Sequence, residues 1–99
     1  MARANRSKAV AVRQVVLAED LRIANARATF ESLVALPAAG ALEIDASQVV
    51  RVDAAGLQAL AAALARLRAA GAEARWKAPA PALAAAAALA GLDAVLALP

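Results

Sequence analysis

Ninety-nine residues suffice for one small domain with a single core and leave no room for a second. Hydrophobic residues make up 64% of the chain but aromatic ones only 2%, Phe30 and Trp76, so the core must be assembled from Leu, Val, Ile and Ala. Cysteine and histidine are absent, which excludes disulfide frameworks, thiolate zinc sites, cysteine nucleophiles and histidine bases.

The formal net charge of +3 is carried by Arg3, Arg6 and Lys8, in a stretch (1–8) read as a disordered basic tail ahead of a domain over 9–99. Beyond the tail, eight basic residues (11 less those three) face eight acidic ones. A neutral body with almost no rings for base stacking argues against nucleic acid as a partner. The longest uncharged run, Ala78 to Leu92, holds two prolines and a glycine and falls short of the roughly 20 residues that a membrane-spanning helix needs. Arg13 and Gln14 interrupt any apolar signal-peptide core. A cytoplasmic protein without a membrane span is expected.

In chain order, β-branched clusters in "AVAVRQVVLAED" predict a first strand over about 10–17, with a turn at Glu19 and Asp20. In "LRIANARATFESLVALP" the residues Ile23, Ala26, Phe30, Leu33 and Val34 recur at helical spacing, and Pro37 ends that helix. "ALEIDAS" alternates, with Leu42 and Ile44 on one face, and gives a second strand ending at Asp45; "QVVRVD" leads on to Asp53. Leu57, Leu60, Ala61, Leu64 and Leu67 then mark an amphipathic helix with Asp53 as its N-cap and Gly71 at its close. "AEARWKA" is a third strand carrying Ala74 and Trp76 on one face, with Trp76 expected in the core. Pro79 and Pro81 open an alanine-rich helix over about 82–90 that Gly91 stops, and "LDAVLALP" stays unassigned. The order β–α–β–α–β–α implies an α/β domain, a small and mostly parallel sheet with helices packed against it.

Taken together, "IDAS" at Asp45 to Ser47, "DAAGL" at Asp53 to Leu57, Gly71, Trp76, Pro79, Pro81 and "GL" at Gly91 and Leu92 resemble the STAS domain family over about residues 15–98. That family includes anti-sigma-factor antagonists, the cytoplasmic domains of sulphate transporters and the small STAS subunit of Mla-type lipid-transport ABC complexes. The resemblance implies a non-enzymatic protein–protein interaction module of bacterial regulation. Antagonists of this kind are switched off when a kinase-like anti-sigma factor phosphorylates a serine in the turn after the aspartate. The matching positions here are Ala54 and Ala55, with Ala55 as the acceptor equivalent, so phosphorylation at this turn is ruled out.

The resemblance and the helix start together nominate Asp53, Ala54, Ala55, Gly56, Leu57 and Gln58 as the partner-binding stretch, with Asp45 and Ser47 as accessory positions. Asp53 can orient a partner's group or merely cap its helix. Gly56 can admit a partner's backbone or fit the first turn against the sheet. Ser47 is a substitute acceptor or an ordinary strand-end serine. A helix N-terminus beside a strand C-terminus is also expected to turn free N–H groups outward. The partner is expected to be another protein: an anti-sigma kinase, the ATPase of a lipid-transport ABC complex, or a component of a chemotaxis-type signalling system. A small-ligand domain for a nucleotide or lipid is the alternative. No nucleophile and base that can meet are identifiable, so no catalytic residue, metal or cofactor is expected.

Overall fold

The computed structural model describes residues 13–37, 40–78 and 80–98. The basic tail expected over 1–8 and the start of the first strand at 10–12 lie outside the described residues. The chain order is β1 (Arg13–Val16), β2 (Asp20–Leu21), α1 (Ile23–Val34), β3 (Ala41–Asp45), β4 (Arg51–Val52), α2 (Ala54–Ala69), β5 (Glu73–Ala78), α3 (Pro81–Ala90) and α4 (Asp93–Leu96). β1, β3 and β5 form a parallel sheet with β3 in the middle, and β2 and β4 form a second parallel pair. The α/β architecture read from the sequence is the one observed.

Alternation decides which face of the sheet is covered. Leu42 and Ile44 on β3 are buried under the helices, while Gln14, Glu43 and Arg75 pair in one row across the opposite face. Gln14 donates from Nε2 to Glu43 Oε1 at 3.1 Å there, and Gln14 and Arg75 are exposed. The core joins Leu42 and Ile44 to Leu33 of α1, to Leu57, Leu60, Leu64 and Leu67 of α2, to Leu83 of α3 and to Leu96 of α4. Burying these nine Leu and Ile side chains, at roughly 1.5–3 kcal/mol each, is the main stabilising term, since the aromatic contribution is so small.

The helix ends follow the expected signals. Pro81 occupies the first turn of α3, and Gly91 leaves it at φ 70°, with Leu92 N–H closing onto Ala87 O at 2.9 Å. Arg66 and Arg68 sit in the last turn of α2, where their charge suits the carbonyl end of the helix. The unassigned C-terminal segment folds as α4, which buries Leu96 and is held by the Trp76 Nε1–H bond to Leu96 O at 2.8 Å. Trp76 itself is half-buried, packed against the core while its N–H reaches this carbonyl.

Two expectations need correction. Asp20 is not in a turn: it pairs with Arg51 while Leu21 pairs with Val52, and Glu19 O accepts from the N–H groups of Val50 and Arg51 at 2.9 and 3.1 Å. Between β3 and β4, Ala46 and Val49 are buried in a turn, with Val49 N–H bonded to Ala46 O, and Arg51 and Val52 then regain a partner strand just ahead of Asp53. Ile23, placed on the core stripe by spacing, is 73% exposed. Helical side chains lean toward the N-terminus, so the first residue of α1 projects past the end of the helix and away from the core.

Candidate partner-binding site

The strand ends carry both helix starts to one point. Parallel pairing of Asp20–Leu21 with Arg51–Val52 brings the first residues of α1 and α2 side by side, and the Asp53 side chain stands between them. Its Oδ1 accepts the Gly56 N–H at 2.8 Å, the N-cap bond expected from the sequence. Its Oδ2 accepts the N–H of Ile23 at 2.9 Å, thirty residues away, at the first residue of α1. The residue preceding α1, Arg22, supplies no side-chain cap, so the carboxylate of another helix's cap does that work. These N–H donors, Gly56 first, then Ile23 and, more weakly, Ala55, hold the Asp53 carboxyl below the ordinary carboxylate range, and Arg22 adds a small attraction.

Gly56 has a steric reason of its own. It is buried, and a Cβ built there would run into the carbonyl oxygen of Leu21, with the carbonyl carbon at 2.5 Å. The start of α2 therefore lies directly on the backbone that leads into α1. Arg22, next along, doubles back onto Asp20: its Nε and Nη2 donate to the two carboxylate oxygens at 2.9 and 2.8 Å, and its backbone N–H adds a third bond at 3.1 Å. That guanidinium, beside Asp20, lowers the Asp20 carboxyl below its usual range.

The nominated stretch divides by exposure. Gly56 and Leu57 are buried, so their part is to seat α2; Ala54 and Gln58 are exposed, and Asp53 and Ala55 are half-buried. At this start Asp53 takes the N–H of Gly56, as its cap role implies, and also that of Ile23 at the head of α1, so those two donors do not face outward free. An anion arriving there would have to displace a carboxylate. Asp45 and Ser47 form a separate turn at the end of β3. The Ser47 hydroxyl and backbone N–H, the latter at 2.9 Å from Oδ1, lower the Asp45 carboxyl below its usual range. Ser47 is exposed. No group of three acidic side chains able to hold a metal ion occurs among the described residues.

Beside Ala54 runs an apolar groove of about 320 Å³, where Val52, Ala54 and Leu57 face Ala86 and Leu89 of α3. Leu89 is 92% exposed, and Val50, just ahead of β4, is 60% exposed. With Ile23, these are large apolar groups around the Asp53 turn that sequence reasoning missed. Leu89 had a legible signal, since it falls off the Leu83 and Ala87 stripe of its own helix. No helix among the described residues is long and apolar enough to cross a membrane.

Compared with known families, residues 4–98 match the family described as "Mlab, STAS domain". No curated protein matches the chain.

Proposed function

The chain belongs to the STAS domain family, and from that premise we propose that it is a non-enzymatic, cytoplasmic module that binds a partner protein through the start of α2 and the α2–α3 groove. The observation that carries the reading is the contrast at one turn. The polar groups of Asp53 are spent on backbone N–H groups of this chain, while Ala54 and Leu89 lie open beside it. A surface whose charge is already satisfied and whose remaining contacts are apolar suits a protein face better than a charged metabolite.

Among settings, the family description favours the small STAS subunit that engages the ATPase of a lipid-transport ABC complex. Such a contact needs shape and apolar surface and no phosphoacceptor, which agrees with Ala54 and Ala55. A second reading, an anti-sigma-antagonist-like regulator, is supported by the intact Asp53-to-Gly56 turn. In that case control runs through partner abundance, because the covalent switch has no hydroxyl to act on.

The test is Ala54→Glu. Ala54 is exposed at the first position of α2, where a carboxylate suits the helix dipole, so stability should stay within about 0.5 kcal/mol. Affinity for a candidate ATPase or anti-sigma kinase, measured by calorimetry, should fall at least tenfold, or about 1.4 kcal/mol. Full affinity in a normally melting Ala54→Glu protein would move the interface elsewhere.

A further inference from the structure

α2 has a second flank that the proposed site leaves unused. α1 packs along it, and where the two helices meet at the surface they leave a shallow groove of about 370 Å³ lined by Ala26, Arg27, Phe30, Glu31 and Ala59. The floor is one half-buried ring among alanines, and the exposed Ile23 stands at the head of the same helical stripe as Ala26 and Phe30. The guanidinium of Arg66 lies 5.5 Å from the centre of the Phe30 ring. Arg27 and Arg66 are exposed, and neither has a carboxylate partner among the described residues. Arg27 and Glu31 thus line an apolar trough, and Arg66 stands over the Phe30 ring that forms its floor.

We infer that this groove docks an amphipathic helix of a partner protein, with small or medium apolar side chains along its buried edge and Asp or Glu on its flanks. Alanines on both walls let a third helix approach to the short end of the usual interaxial range of about 8–10 Å. Arg pairs carboxylates with two parallel bonds, and stacking on Phe30 restrains the Arg66 fork in advance, so less side-chain freedom is lost on binding. A small anion would leave the apolar floor uncovered, and a lone acyl chain in so open a trough would keep most of its length in water. A helix satisfies its own backbone, covers the floor at i, i+3, i+4 and i+7, and reaches both guanidiniums from its flanks. The charge of the rim thus selects the sign of the partner, and the alanines select its shape.

The experiment displays a library of amphipathic helical peptides to the protein and then compares the enriched peptides on Arg27→Glu/Arg66→Glu. Both changes are on exposed side chains, and a thermal melt checks that the variant stays folded. Enriched peptides should carry Asp or Glu beside an Ala- or Leu-rich edge. The best of them, resynthesised, should bind the double variant at least tenfold more weakly, lose affinity as salt is raised, and regain it in part when their own acidic residues are changed to Lys. Ala54→Glu should bind the same peptide as the unaltered protein does, so this test and that of the α2–α3 surface can fail separately. No enrichment of acidic helices, or a selected peptide that binds the double variant equally well, would overturn the inference.

Discussion

Replacing Gly56 by Ala isolates the close approach of the two helix starts. The backbone at Gly56 is not in the left-handed region, so conformational freedom is not what the glycine supplies. As a change within a helix's first turn the substitution should help, by at most about 1 kcal/mol of helix propensity. Against that, the new methyl would overlap the carbonyl oxygen of Leu21 and come within 2.5 Å of its carbonyl carbon. Both are backbone atoms, fixed by the pairing of Leu21 with Val52, so no flexible side chain can swing aside. Restoring ordinary contact needs a retreat on the order of 1–2 Å, which pulls Asp53 off the Ile23 N–H. The cost belongs at the top of the overpacking range of about 1–3 kcal/mol or above it. The net expectation is a loss of about 2 kcal/mol or more, or a melting temperature lower by roughly 8–16 °C for a domain this small. Urea unfolding followed by the fluorescence of Trp76, with circular dichroism as a second probe, measures it. A Gly56→Ala protein as stable as the original, or more so, would mean that propensity wins and the close approach is not a constraint.

Acid should unfold the protein through its turn carboxylates. Asp20, Asp45 and Asp53 all titrate below the ordinary range in the fold. Their stabilisation is thus complete above the unfolded carboxylate value of about 4 and is lost as pH falls through the lower folded values. Urea midpoints should be level from neutral pH to about 5 and drop below 4, with a shallower drop in Asp53→Asn; a midpoint that rises on acidification would contradict this. Leu64→Ala, at a fully buried position on α2, should cost about 2–5 kcal/mol by the same unfolding assay. Trp76→Phe keeps a smaller aromatic ring in place of the indole and removes the N–H to Leu96, so amide exchange in α4 should speed up while that of α2 holds. Intact mass after incubation with ATP and an anti-sigma kinase should show no added phosphate, and stoichiometric phosphate on Ser47 would mean that the switch has moved to the β3 turn.

What the sequence revealed was local. The Leu57, Leu60, Leu64 and Leu67 stripe, Asp53 before it, Pro81 and Gly91 each act within a few residues of where they stand, and α2 and α3 were legible from them. The second bond of Asp53 spans thirty residues to Ile23, and nothing near either residue announces it. Gly56 carried the same ambiguity: a glycine in a first helical turn admits either a partner or the protein's own backbone, and the position of Leu21 decides. β2 and β4, at two residues each, are too short to alternate, so the small parallel pair that aligns the helix starts had no pattern to read. Ile23 was misplaced because periodicity gives a direction around a helix axis and says nothing about where the helix overhangs its support.

The shared cap has an evolutionary reading. Asp53 and Gly56 act on backbone atoms of their own chain, whereas the side chain of Ala54, between them, has no structural duty. The architecture of this turn therefore rests on Asp53 and Gly56, and the letter between them is free to change without touching it. A serine at position 54 would meet solvent and touch neither bond of Asp53, and such a protein should melt where this one does.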